Sequence, residues 1–253
     1  MRHLSEGRLH KIWNSLASDN VKAVIFDIYN TLFENSTAVW EKTFQDICSE
    51  QDLPVDPHDL YTRWRSLEAE TRKGRVNLAA VELSHPFRPY REVWKECFSR
   101  VFEESGLGAN ASTATSRAIT DMGRRQPYPD SLNVVKLLQK QYKTAALSNA
   151  DESFLYPVLE KAGLVFDAVL CSEAVGVYKP HPLPFERILE MLRVNPSEAV
   201  FVGDTMYDDI LGAQQVGMRT VLVNWDKSRI DTSLVAPDQQ VHRLTDLLDM
   251  LAP

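Results

Sequence analysis

The sequence of 253 residues has few cysteines and no long apolar run. Its three cysteines, Cys48, Cys97 and Cys171, are far apart and odd in number, which argues against a disulfide framework and a zinc knuckle. No segment approaches the roughly 20 apolar residues of a membrane span, and charges interrupt residues 1–20 where a signal peptide would need an apolar core. We therefore expect a cytoplasmic protein with no membrane partner.

Positive charge is also in deficit. The chain has 28 Lys and Arg against 35 Asp and Glu, a net charge of −7. An acidic surface repels phosphate backbones, so nucleic acid is not an expected partner. A small anionic substrate would need a locally positive pocket. The sequence leaves monomer and homodimer open as oligomeric states.

Five short apolar runs are rich in β-branched residues and do not alternate with polar ones. They are residues 21–26, 144–147, 168–171, 199–202 and 220–223. Such runs are typical of strands buried on both faces of a parallel sheet. Helical spacing of apolar residues lies between the later four, over 131–141, 154–162, 184–192 and 208–216. This alternation predicts an α/β fold with a doubly wound, Rossmann-like parallel sheet.

About a hundred residues separate the first run from the second, and they have helical patterns throughout. The patterns cover residues 39–48, 59–72, 90–105 and 112–122. We interpret residues 36–125 as an inserted helical cap domain, with residues 1–35 and 126–253 forming the core domain. Residues 9–16 predict one further helix outside the core.

Polar residues follow the predicted strands where a ligand crevice is expected, outside the carboxyl ends of the sheet. They are Asp27 and Thr31 after the first run, Ser148 and Asn149 after the second, Lys179 before the fourth, and Asp204 and Asp209 after it. This set holds no histidine, no cysteine and no glycine-rich dinucleotide loop, so redox chemistry is not expected.

Crowded carboxylates repel one another unless a cation intervenes, and hard oxygen ligands suit Mg²⁺. Asp204 and Asp209 are therefore candidate metal ligands. Asp27 has the position of a covalent nucleophile, and Lys179 can neutralise both it and the transferred group. The sequence leaves two roles open for Asn149, positioning of the nucleophile or formation of a turn.

Four segments in order resemble the four motifs of the haloacid dehalogenase (HAD) superfamily. They are FDIYNTLF at 26–33, ALSNA at 146–150, GVYKP at 176–180 and VGDTMYDDILGA at 202–213. The resemblance implies a C1-type helical cap and hydrolysis through an ester intermediate on Asp27. It further implies that Thr31 and Ser148 orient the substrate and that Lys179 stabilises the site. The implied Mg²⁺ ligands are Asp27, Asp204, Asp209 and the backbone carbonyl of Tyr29.

One residue departs from the phosphatases of this superfamily, which usually carry an acid–base aspartate two residues after the nucleophile. Tyr29 occupies that position, as in 2-haloacid dehalogenases, whose halide leaves without protonation. The acidic fourth motif and Phe185 instead resemble phosphatase-like members. Among several cap arginines, Arg65 is the candidate match for the substrate arginine of the dehalogenases, and Tyr29 and Arg65 are the expected substrate contacts.

We therefore expect Mg²⁺-dependent, phosphatase-like hydrolysis of a small phosphorylated metabolite. Metal-independent 2-haloacid dehalogenation through the same aspartate is the alternative. A catalytically weak member that binds a phosphorylated ligand is a third possibility, and the missing acid at Tyr29 motivates it.

Overall fold

Six parallel strands form one sheet in the computed structural model, which describes residues 20–230, 232–233 and 235–251. They are β1 (Ala23–Phe26), β2 (Lys143–Ser148), β3 (Ala168–Cys171), β4 (Ala199–Gly203), β5 (Arg219–Val223) and β6 (Gln239–Val241). The order across the sheet is β3-β2-β1-β4-β5-β6, so the chain winds outward from β1 in both directions. The predicted doubly wound α/β fold is confirmed. The helix predicted for residues 9–16 lies outside the described residues.

The central strands are buried on both faces, which explains their unbroken apolar sequence. Every residue of β1 and β4 is buried. Successive side chains point to opposite faces. Ile25 and Phe201 therefore join one apolar cluster with Phe185, while Val24 and Val202 join the larger cluster on the other face. Both clusters fix the register of the sheet, because a one-residue slip would exchange them.

Helices cover the sheet and connect its strands. Those of the core are α5 (Ser131–Leu138), α6 (Glu152–Ala162), α7 (Ser172–Val175), α8 (Pro182–Leu192), α9 (Gly212–Gln215) and α10 (Asp246–Met250). The helix predicted for 208–216 is instead a π-helical turn, Met206–Leu211, followed by α9. The turn is wide because the Ile210 N–H donates to the Thr205 carbonyl, five residues back. None of the helices in the described ranges is both long and apolar enough to cross a membrane.

Four longer helices lie between β1 and β2. They are α1 (Thr37–Glu50), α2 (Pro57–Arg72), α3 (Tyr90–Glu104) and α4 (Ala111–Met122). Their mutual packing is aromatic, with Trp64 near the centre and its ring centroid 5.1 Å from that of Trp40 and 5.3 Å from that of Phe98. This four-helix layer is called the cap below.

The chain leaves and re-enters the sheet region at neighbouring points. The Glu34 N–H donates to the Gln126 carbonyl at 2.9 Å, and the Tyr128 N–H donates to the Leu32 carbonyl at 2.9 Å. The predicted domain boundaries, after residue 35 and before residue 126, fall beside these two hydrogen bonds. The cap is therefore attached by two adjacent segments, and it lies over the carboxyl ends of the strands.

Candidate active site

A cavity of about 330 Å³ lies between the carboxyl edge of the sheet and the cap. Most of the predicted site residues line it, namely Asp27, Tyr29, Arg65, Ser148, Asn149, Lys179, Asp204 and Asp209. Thr31 does not line the cavity. It is fully buried, and its hydroxyl donates to Asp204 Oδ1 at 3.3 Å. In this structure Thr31 therefore contacts a carboxylate of the site, whereas the resemblance implied that it contacts the substrate.

Lys179 lies at the centre of the site and is 3% exposed. Its ammonium donates to Asp27 Oδ1 at 2.8 Å, to Asp209 Oδ1 at 2.5 Å and to the Leu147 carbonyl at 3.2 Å. Burial disfavours the charged amine, but the two carboxylates outweigh it, so the pKa of Lys179 lies above its usual value. The lysine is a fixed positive charge at every physiological pH.

Three carboxylates surround this charge. Oxygen atoms of Asp27, Asp204 and Asp209 all lie within 4.8 Å of one another. Burial, helped by the charge of Asp209 and opposed by Lys179, raises the pKa of Asp27 to about 6. The pKa of Asp204 is raised well above its usual value, first by burial and then by its carboxylate neighbours. One lysine does not neutralise the charge of three ionised carboxylates, so a bound cation would stabilise the cluster.

Neighbouring polar groups hold two of the carboxylates in place. Ser148 Oγ donates to Asp27 Oδ1 at 3.2 Å. Asp209 Oδ2 accepts from both the N–H and the hydroxyl of Thr205, at 2.9 and 2.8 Å. A Cβ on Gly203 would lie 2.5 Å from the Asp209 side chain, so only glycine leaves room for this carboxylate. Thr205 and Gly203 follow the predicted strand directly, but their sequence position gave no sign of these roles.

Asn149 holds the loop that carries Lys179. Its Oδ1 accepts from the Lys179 N–H at 2.8 Å, and its Nδ2 donates to the Lys179 carbonyl at 3.1 Å. The same amide lies 3.4 Å from Asp208, which lines the cavity and whose pKa burial raises to about 6. Asn149 thus positions the loop that carries Lys179. The sequence had left open whether Asn149 positions the nucleophile or forms a turn.

The phenol of Tyr29 is engaged by backbone carbonyls. Its hydroxyl lies 3.3 Å from the Phe154 carbonyl and 3.4 Å from the Met122 carbonyl, while its ring packs on Phe154. Burial raises its pKa well above 10. A phenol so placed is a poor proton donor to a leaving group at neutral pH.

Asp151 connects the core to the cap. It precedes α6, but its side chain makes no cap bond to that helix. Both oxygens instead accept N–H groups at the start of α3, from Tyr90 and Arg91, each at 2.8 Å. Burial raises the pKa of Asp151 to about 6. This carboxylate caps a helix that begins 61 residues earlier in the chain.

The cap side of the cavity is aromatic with one charged cluster. Its aromatic lining comprises Trp40, Tyr61, Trp64, Tyr90 and Trp94. The charged cluster consists of Arg65, Glu68 and Arg72, all on α2. Glu68 is fully buried and accepts from both arginines, from Arg65 at 2.6 Å and from Arg72 at 2.7 Å. Arg65 was predicted from the sequence, whereas Glu68 and Arg72 were not.

Comparison with known families identifies the chain. The family model of the haloacid dehalogenase-like hydrolases matches residues 21–217, which include strands β1 to β4, the cap and all four motifs. The chain belongs to the haloacid dehalogenase-like hydrolases. It is therefore a hydrolase of this superfamily, as the four motifs predicted.

Its relatives in this superfamily include both dehalogenases and phosphatases. The chain is 25% identical over 237 residues to (S)-2-haloacid dehalogenase 4A of Burkholderia cepacia, covering 92% of this chain and 96% of that one. It is 27% identical over 251 residues to glyceraldehyde 3-phosphate phosphatase of Methanopyrus kandleri, covering 91% and 97%. The L-2-haloacid dehalogenase of Xanthobacter autotrophicus has a similar structure, with a TM-score of 0.72 and 26% identity over 90% of this chain and 96% of that one.

Proposed function

We propose that this hydrolase cleaves small phosphate monoesters in a Mg²⁺-dependent reaction through Asp27. The observation that carries the proposal is the cluster of buried Asp27 and Asp209 with half-buried Asp204 around a single lysine. Three ionised carboxylates around one lysine leave negative charge that a second cation would balance. Dehalogenation of a haloacid brings no such cation to the site. A phosphatase site uses that cation.

The residues present fit Mg²⁺. They offer hard carboxylate oxygens within 4.8 Å of one another, and Mg²⁺ takes one or two protein carboxylates together with substrate oxygens. Asp27, Asp204 and Asp209 would hold the ion, with the Tyr29 backbone carbonyl as the proposed fourth ligand. The ion would neutralise charge on the phosphoryl oxygens.

The hydrogen bonds to Asp27 support Oδ2 as the nucleophilic atom. Ser148 and Lys179 both donate to Asp27 Oδ1, whereas no side chain of the described residues donates to Oδ2. Oδ2 therefore attacks phosphorus while the ester oxygen leaves with its bonding electrons, and Lys179 stabilises the charge that develops. The Tyr29 hydroxyl is hydrogen-bonded to backbone carbonyls and does not donate to the leaving oxygen. That oxygen therefore takes its proton from solvent. Water then hydrolyses the aspartyl phosphate to phosphate and free Asp27.

Tyr29 favours a second candidate, 2-haloacid dehalogenation. Its phenol is held away from proton donation by the Phe154 and Met122 carbonyls. A halide leaves without a proton, so such a site loses nothing by lacking an acid. In this reaction Asp27 would displace halide from carbon, and water would hydrolyse the resulting ester.

An assay with both substrate types separates the two. The purified protein is given p-nitrophenyl phosphate or chloroacetate, each with Mg²⁺ or with EDTA. The proposal predicts phosphate release with Mg²⁺ only, abolished by Asp27→Asn and retained by Asp226→Asn, an exposed acid outside the cavity. Halide release in EDTA without phosphate release would instead establish the dehalogenase.

A further inference from the structure

We propose that Tyr178 is a positioning residue for the reaction: the cap holds its ring and thereby fixes the next residue, Lys179, against Asp27. The inference rests on the proposed function only in that Asp27 attacks beside Lys179, which phosphatase and dehalogenase chemistry share. The cap then has a second task besides covering the cavity, because cap residues outside the cavity set the geometry of the core.

Tyr178 belongs to the core, but cap residues enclose its side chain. It lies between α7 and α8 and is 5% exposed. Its ring centroid is 4.9 Å from that of Phe87 and 5.5 Å from that of Tyr90, and the Arg75 guanidinium lies 4.2 Å from it. The Tyr178 hydroxyl donates to the Arg88 carbonyl at 2.6 Å. All four partners belong to the end of the cap where α3 begins.

Arg75 connects the cap loop, residues 73–89, to this ring. Its guanidinium lies over the rings of both Tyr178 and Tyr90, 4.2 and 4.9 Å from their centroids, and its Nη1 donates to the Tyr90 hydroxyl at 3.2 Å. Within the described residues, its Nη2 is buried and has no hydrogen-bond partner. An aromatic face attracts a cation more strongly where water is excluded. The positive charge of Arg75 therefore stabilises the position of the Tyr178 ring.

The backbone transmits any displacement of Tyr178 to Lys179. Consecutive Cα atoms are held about 3.8 Å apart, so the two residues move together. The Lys179 N–H donates to Asn149 Oδ1 at 2.8 Å, and the His181 N–H donates to the Tyr178 carbonyl at 3.0 Å. The core thus holds this loop through Asn149, and the cap holds it through the ring of Tyr178.

Small displacements of Lys179 matter because its contacts are short. Its ammonium donates to Asp27 Oδ1 at 2.8 Å and to Asp209 Oδ1 at 2.5 Å. A displacement of about 1 Å in a reacting site costs about 100-fold in rate. Tyr178 and Arg75 do not line the catalytic cavity. Their loss should therefore lower kcat through Lys179 and leave KM nearly unchanged.

Two substitutions test the inference with p-nitrophenyl phosphate and Mg²⁺. Tyr178→Leu removes the ring and should lower kcat about 10- to 100-fold while KM changes less than about threefold. Arg75→Met removes the charge above the ring and should lower kcat at least about threefold, and Arg75→Lys should restore part of it, because an ammonium also binds an aromatic face. Tyr156→Leu and Arg63→Met, the same changes at exposed positions, should leave kcat unchanged.

Hydrogen exchange of the free protein measures the same effect without turnover. In Tyr178→Leu and in Arg75→Met, the N–H groups of Lys179 and His181 should exchange faster than in the wild type. The factor should exceed that for the N–H groups of β2. This comparison separates local loosening of the Lys179 loop from a general loss of stability.

The inference would be overturned by wild-type kcat in both variants, by an effect confined to KM, or by equal exchange factors in the loop and in β2. Should Tyr178→Leu not fold, Arg75→Met provides both measurements. If only chloroacetate is hydrolysed, the kinetic comparison is made with chloroacetate. A wild type that hydrolyses neither substrate contradicts the proposed function, and the exchange comparison alone then decides whether Tyr178 holds the Lys179 loop.

Discussion

Asp27→Asn should stabilise the metal-free protein while abolishing its activity. Asp27 is 6% exposed, and its pKa is raised from 3.8 to about 6, first by burial. Folding therefore favours the protonated form, which asparagine resembles. At about 1.4 kcal/mol per pK unit the shift corresponds to about 3 kcal/mol at pH 7.5. This value is an upper limit, because Lys179 loses one of its two carboxylate partners in the variant.

The pH dependence follows from the sign of the shift. Below about pH 4 the carboxyl group is protonated in both the folded and the unfolded chain, so the variant gains nothing. Between about pH 4 and 6 only the unfolded chain ionises, and the wild type loses stability relative to the variant as pH rises. Above about pH 6 the difference is constant.

Chemical denaturation in EDTA at a series of pH values measures this directly. Asp226→Asn, which removes an exposed carboxylate, is the control and should unfold like the wild type. With saturating Mg²⁺ the stability difference between Asp27→Asn and the wild type should shrink, because only the wild type is stabilised by the full free energy of Mg²⁺ binding. An Asp27→Asn variant that is no more stable than the wild type at pH 7.5, or whose added stability does not decline toward pH 4, would show that burial of Asp27 does not cost this energy.

Three further changes test other parts of the site. Gly203→Ala would place a Cβ 2.5 Å from the Asp209 side chain, so thermal denaturation should show a loss of stability of about 1–3 kcal/mol, and turnover should fall. A variant with wild-type stability and rate would contradict this packing. Tyr29→Asp should raise turnover of alkyl phosphates by at least about tenfold and leave p-nitrophenyl phosphate less affected, since only poor leaving groups need an acid; an equal effect on both esters counts against it. Asp151→Ala leaves two N–H groups of α3 without their acceptor and should lower the free energy of unfolding by about 2 kcal/mol; an unchanged denaturation midpoint would show that this link adds no stability.

The strands of the sheet were predictable because strands buried on both faces consist of consecutive apolar residues. The exception is β6, where only Val241 of three residues is buried, so its sequence has no apolar run. The four cap helices were predictable from helical spacing, with ends that differ by at most two residues. The π-helical turn was not, because it depends on one hydrogen bond to the Thr205 carbonyl.

The site residues that end strands were predictable, since parallel strands bring their carboxyl ends to one edge. Lys179 and Asp209 meet at 2.5 Å although they lie 30 residues apart. Contacts between cap and core were not predictable, because one chain gives no relative orientation of two layers. Asp151 illustrates this, because its side chain accepts N–H groups of α3 across the boundary between core and cap.

The mass of the peptide that contains Asp27, after acid quench during turnover, shows whether the reaction passes through an ester on this residue. With a phosphate ester and Mg²⁺, we expect a phosphoryl group on Asp27. The modification should be absent with EDTA and absent in Asp27→Asn. Turnover with an unmodified Asp27, or an alkyl ester formed on Asp27 from a haloacid in EDTA, would contradict phosphatase action through Asp27.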